Sequence, residues 1–300
     1  TNRYELPPEK LRQRLNSLPK SGAMTNAGSA TWEGVAAHKA NLAHSAGRTG
    51  TGTKVCVLSD GVDSLAARQA TGDLPATVTV LSGQAGSGDE GTAMLEIVHD
   101  MAPGASLYFA TAFGGVAQFA TNIINLRTAG CDIIVDDVTY FNEGAFQDGP
   151  IAQAVNQVTA AGALFFSSAA NSGNKNDGQS GTFEGDFVAS GNAIPAAVQA
   201  LYGATPIQLH AFGSNNYTAL TATTRRISLK WSDPLGASAN DYDLVVTNAT
   251  GSAVLGQSLG TQSGTQDPYE FASRATPYPI GSRIYIVRYS GAARALRLDT

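Results

Sequence analysis

Thr53-Lys54-Val55-Cys56-Val57-Leu58-Ser59-Asp60-Gly61 is a short apolar, β-branched run that stops at two polar residues and a glycine. Thr49-Gly50-Thr51-Gly52 leads into it. Apolar residues at consecutive rather than alternate positions mean that both faces of the strand are buried, the pattern of a parallel sheet covered by helices. Further strands of this kind are predicted over residues 76–81, 106–111, 131–138 and 163–167. Helical stretches fall between them over 91–100, 116–129 and 148–161, ended by Ala102-Pro103-Gly104, Gly130 and Gly162. The alternation predicts a doubly wound α/β fold. Ligands on such sheets bind at the carboxyl ends of the strands. The residues to examine are therefore Ser59 and Asp60, Asp136 and Asp137, and 168–171.

On either side the pattern changes. Leu11, Leu15 and Leu18 have near-helical spacing, and residues 31–46 read as a helix with Thr31 as N-cap and Trp32, Val35, Ala36 and Leu42 on one face. From about residue 200 no long helix is expected. Strands are predicted over 206–212, 226–231, 242–248, 253–258 and 283–290, as a small all-β sandwich or jelly roll. The division reads as a helical lead-in (1–47), an α/β core (48–198) and an inserted all-β unit (199–300).

The chain has 300 residues, 43% of them apolar, which is enough for a sizeable core. Its 19 basic and 24 acidic residues give a net charge of −5, which argues against nucleic acid or an anionic membrane as partner. No apolar run approaches the roughly 18 residues of a membrane span. No signal peptide is present in the polar start, and low charge with abundant Gly, Ala, Ser and Thr suits a secreted bacterial enzyme. Cys56 and Cys131 read as buried core thiols.

Taken alone, Glu90 is a carboxylate in the first turn of a helix capped by Asp89, where the helix dipole favours it. Asp60 reads as a turn residue before Gly61, and Asn171 as part of an Asn-Ser-Gly turn. Asp136 and Asp137 end a buried strand in tandem, and alternation sends them to opposite faces. His99 lies nine residues after Glu90, roughly 13 Å along the helix and facing away. Asp233, Asn240, Asp241 and Asp243 cluster around a loop. They read as a turn network, with structural Ca²⁺ the alternative and no metal site predicted.

Three segments resemble the subtilisin-like serine peptidases. Residues 52–63 resemble the strand that delivers the triad aspartate, 89–104 the helix that starts at the catalytic base, and 158–173 the helix, strand and loop carrying the oxyanion asparagine. They occur in the family's order over residues 45–175. The resemblance implies a peptide or protein substrate, with Asp60, Glu90 and Asn171 catalytic and Asp137 and Ser168 contacting substrate. Three departures accompany it. Glu90 stands where the family has histidine. Ser59, not an aspartate, follows Leu58. The Gly-Thr-Ser nucleophile motif does not occur, so an additional C-terminal segment is expected to supply the serine.

A glutamate base is workable at acid pH. The sedolisins use one, paired with an aspartate one helical turn away, but here that i+4 position is Met94. Asp60 is then the expected orienting carboxylate, and Asp137 a third acid able to raise the pKa of Glu90. The expected function is an Asp/Glu/Ser-type endopeptidase, weak or inactive without the serine segment. The alternatives are a catalytically degenerate binding scaffold and an ester or polyester hydrolase, the last with Ser59 or Ser168 as nucleophile.

Overall fold

The computed structural model describes residues 28–300. The expected helix at Leu11, Leu15 and Leu18 lies outside them. The described chain forms two compact units: residues 28–139 with 150–170, and residues 140–149 with 171–300. The expected boundary at 198 thus falls at 170, because the strand at Thr182–Asp186 pairs into the β unit.

The first unit opens with α1 (Gly34–Ala37) and α2 (Ala40–Ser45) in place of the single helix expected over 31–46. The break is at Lys39, whose φ of +60° is left-handed. Gly34 and Ala40 are the buried residues of this pair, whereas Trp32 and Leu42 are exposed. There follow β1 (Lys54–Ser59), α3 (Leu65–Thr71), β2 (Val78–Val80), α4 (Glu90–Met101) and β3 (Ser106–Thr111). The unit continues with α5 (Val116–Thr128), β4 (Ile133–Asp136), α6 (Pro150–Ala160) and β5 (Leu164–Ser167). The five strands form one parallel sheet in the order β2-β3-β1-β4-β5.

Both faces are covered. Val55, Val57, Leu107 and Phe109 pack under Leu95 and Val98 of α4. Strand alternation leaves Leu58, Ala110 and Ile134 for the opposite face, where α5 and α6 pack against each other and against β3, β4 and β5. Cys56 and Cys131 are fully buried, as expected, but they are not free thiols. They form a disulfide, with Cα atoms 6.0 Å apart and a sequence separation of 75. The register sets Cys56 beside Ile134, so Cys131 reaches it from the turn before β4. No sequence pattern discloses that register.

In the second unit β6 (Thr182–Asp186), β9 (Thr224–Trp231), β12 (Tyr269–Tyr278) and β14 (Ala295–Asp299) make one antiparallel sheet. The other antiparallel sheet contains β7 (Gln208–Leu209), β8 (Thr218–Ala219), β10 (Asp241–Thr247), β11 (Val254–Ser258) and β13 (Arg283–Ser290). A one-turn helix, α7 (Ala196–Gln199), precedes β7. Leu229, Trp231, Tyr242, Leu244, Ile284, Ile286 and Leu298 form the core between the sheets. β12 is absent from the expected strands because a register shift between Ser273 and Tyr278 breaks its alternation. Among the described residues no helix is long and apolar enough to cross a membrane.

Candidate active site

The sheet order reverses at β1. From β1 the chain fills β2 and β3 on one side, then crosses to β4 and β5 on the other. The carboxyl ends of β1 and β4 therefore flank a topological switch point, where a crevice opens in sheets of this kind. Ser59 and Asp60 leave β1 there, and Asp136 and Asp137 leave β4.

Asp60 bends back onto its own turn. Its Oδ1 accepts the main-chain N–H of Gly61 at 2.6 Å and that of Gly91 at 3.1 Å. Gly91 lies in the first turn of α4, so Asp60 satisfies one of the amides a helix start leaves open. The actual N-cap residue, Asp89, turns its carboxylate instead to the N–H and hydroxyl of Ser64, at 2.7 and 2.8 Å. Gly88 makes room for Asp60. Its φ is +116°, and a Cβ at this position would strike Asp60 Oδ2.

Glu90, the first residue of α4, is exposed and points toward the same crevice end. The carboxyl hydrogen-bonded to it belongs to Asp137, 47 residues later and likewise exposed. The pKa of Glu90 is raised by partial desolvation, then by the hydrogen bond and charge of Asp137, then by the charge of Asp60. Ser59 Oγ acts weakly in the opposite direction. It is buried and makes no well-formed hydrogen bond. Asp60 was the expected orienting group for Glu90. The structure gives that contact to Asp137 and leaves Asp60 a through-space influence.

Asp136 takes the opposite face, as alternation requires. It is buried, accepts Ser167 Oγ at 2.9 Å and Val138 N–H at 3.2 Å, and burial pushes its carboxyl up to about 6. Ser168 is exposed, and its N–H donates to Asp136 O at 3.2 Å. Ala170, one residue before the second unit, has the left-handed φ of +59°. Asn171 opens the second unit, in the wall of a cavity of about 790 Å³ lined by Ser180, Thr182, Thr221 and Thr224. His99 lies buried in the last turn of α4, where desolvation holds its pKa down.

Two supporting residues escape sequence reasoning. Thr111 Oγ1, at the end of β3, donates to Asp60 O at 2.9 Å and fixes the turn. Asn122 of α5, fully buried, donates to Thr111 O at 2.7 Å and to Gln84 Oε1 at 2.6 Å. A buried asparagine on an otherwise apolar helix face is the signal that could have found it.

Chemically, two carboxyls joined by one hydrogen bond share one proton, so one can act as acid while its partner stays ionised. Among the described residues no group of three or more His, Cys, Asp or Glu side chains is arranged to hold a metal ion.

No protein-family model and no curated protein matches the chain. A solved structure described as a protein from Lactobacillus plantarum aligns at 10% identity over 83% of this chain and 99% of its own, with a TM-score of 0.15. A likeness that slight carries no argument.

Proposed function

We propose that the chain is a hydrolase of the subtilisin-like kind, working on peptide bonds with a carboxyl pair in place of a histidine base. Glu90 takes and returns the proton, and Asp137 holds and tunes it. The observation that carries this reading is the Glu90–Asp137 hydrogen bond at the carboxyl edge of the sheet, beside the switch point. The missing i+4 aspartate of the sedolisins is replaced here by an acid that follows β4.

The finer fold assignment belongs to the same proposal. The parallel sheet with helices on both faces is read as subtilisin-type, and the two antiparallel sheets around one core as a sandwich of the jelly-roll kind. By the same resemblance Asn171 would donate to the oxyanion and Ser168 would line the peptide. The buried Cys56–Cys131 disulfide favours an oxidising compartment, and so secretion.

The test is hydrolysis of denatured protein and of chromogenic esters across pH 3–8, with fluorophosphonate labelling and peptide mapping to place the nucleophile. Cleavage with an acid optimum, reduced by a factor on the order of 10²–10⁴ in Glu90→Gln, supports the reading. Turnover unchanged by Glu90→Gln overturns it. Cleavage of the esters alone moves the substrate class to esters.

A further inference from the structure

At the carboxyl edge of the parallel sheet, Leu58, Asp136 and Ser167 stand in one row. The registers set Leu58 beside Asp136 and Asp136 beside Ser167, and residues in register project to the same face. Leu58 is fully buried and Asp136 is 3% exposed. A carboxyl is an expensive side chain for such a row. The charge that acts on it is that of Asp137, which has the same sign, and no cation offsets its burial.

The Asp136 carboxyl meets two donors through one oxygen. Ser167 Oγ donates to Oδ1 at 2.9 Å from the end of β5. The Val138 N–H donates to the same Oδ1 at 3.2 Å. This second bond closes an Asx turn, in which a side chain accepts the main-chain N–H two residues on. The residue enclosed by the turn is Asp137.

β4 ends at Asp136, so the strand itself no longer dictates the backbone of the residues that follow. Among the described residues no other hydrogen bond reaches the main chain of Val138 or Thr139, where the chain leaves the first unit. The Asp136 main chain has a part as well, since its carbonyl oxygen accepts the Ser168 N–H at 3.2 Å. One buried residue therefore grips both polar segments at this edge, the one carrying Asp137 and the one carrying Ser168.

We propose that Asp136 is a positioning residue, which closes the turn over Asp137 and so aims the Asp137 carboxyl at Glu90. The role rests on the Glu90–Asp137 pair of the proposed function. Asp136 faces away from that pair and acts on it only through the backbone. What the role needs is an acceptor oxygen at Oδ1, not a charge. Asparagine retains such an oxygen and can accept both donors. Valine suits a buried strand end and removes the buried carboxyl, but it has no acceptor and releases the turn.

The experiment is carbon-detected NMR titration of Glu90 in the whole chain and in its Asp136→Asn and Asp136→Val variants, with Tm and amide exchange at Val138 measured alongside. Asp136→Asn should leave the Glu90 pKa where the parent has it. Asp136→Val should lower it toward the ordinary glutamate value of about 4.3. Exchange at Val138 should be at least about tenfold faster in Asp136→Val than in the parent or in Asp136→Asn. A fall in Tm for Asp136→Val with the Glu90 pKa still raised overturns the positioning role, because Asp136 then serves the fold alone. Should Asp136→Val not fold, the parent decides: a Val138 amide exchanging as fast as an unprotected one overturns the turn itself. No substrate enters the titration, so failure of peptide hydrolysis leaves this result standing. A parent Glu90 that titrates at the ordinary value overturns the carboxyl pair and the positioning role together.

Discussion

The Asp60 carboxylate accepts the main-chain N–H of Gly91, the residue immediately after Glu90. Asp60 therefore anchors the backbone that carries Glu90, whereas Asp137 meets the Glu90 side chain itself. The two aspartates should differ sharply under substitution. Asp137→Asn removes the nearer charge and puts an amide N–H donor beside ionised Glu90, so the Glu90 pKa should fall markedly. Asp60→Asn removes only a through-space charge, so the fall should be smaller, with fraying at the start of α4. Carbon-detected NMR titration of Glu90 in both variants decides it. An equal fall in the two would contradict the assignment.

The pH dependence of stability follows from the same contact. The folded chain holds the Glu90 proton more tightly than the unfolded chain. That contribution is fully present below the ordinary carboxylate range and is lost as pH rises through the raised value. Glu90→Gln should accordingly be more stable than the parent at pH 8 and lose the advantage by about pH 4. Urea unfolding at both pH values measures the difference.

Gly88→Ala should damage the site without touching a titratable group. It forces a side chain onto a φ of +116° and into Asp60 Oδ2. Strain of this kind costs about 1–3 kcal/mol. The loss should appear as a lower Tm and as faster amide exchange at Gly61 and Gly91, whose N–H groups Asp60 now holds.

The disulfide closes a loop with a sequence separation of 75 that contains Glu90, β2 and β3. Loops of this length contribute roughly 4 kcal/mol in the chain-entropy account. Reduction, or the paired substitution Cys56→Ala with Cys131→Ala, should lower stability by about 2–4 kcal/mol. Chemical denaturation with and without reductant checks this, and an unchanged midpoint would show that the bond is strained or unformed.

His210 makes the β unit acid-sensitive. It lies buried among Phe183, Phe187 and Phe212, accepts the Val188 N–H on Nδ1 at 3.2 Å, and leaves Nε2 without a partner. Burial pushes its pKa down to about 4. Stability is thus complete above the ordinary histidine value and is lost as pH falls toward 4, by on the order of 2–3 kcal/mol. His210→Phe should flatten the stability profile between pH 6.5 and 4, whatever its cost at pH 7. A profile as steep as the parent's would locate the acid sensitivity elsewhere.

Much of the α/β unit is legible in the sequence because its strands are buried on both faces and its helices end at Gly or Pro. The strand at residues 106–111 matches to the residue, and α4 to within a residue at either end. Other features depend on which strands become neighbours. Asp137 is visible as a strand-end acid, but its pairing with Glu90 requires β4 to lie beside β1, a fact of topology rather than of local pattern. The disulfide is hidden for the same reason. In the β unit, β12 escapes because polar residues and a bulge interrupt the alternation that marks a half-buried strand.

The excursion of residues 140–149 has a consequence for how this protein can be dissected. The chain leaves the first unit after Thr139, joins the second, returns at Pro150, and leaves again after Ala170. The visit is stitched in place: Gln147 bonds Asp233 O at 2.7 Å and Leu235 N–H at 3.0 Å, and Phe141 packs on Phe271. Neither unit is therefore a cassette that a single cut can excise. A fragment ending at 170 carries ten residues whose partners are gone, and one starting at 171 lacks the strap that holds its loop. Domain swaps and truncations designed on a linear map would break both halves at once, whereas a circular permutation opened within a surface turn of the β unit would leave all three crossings intact.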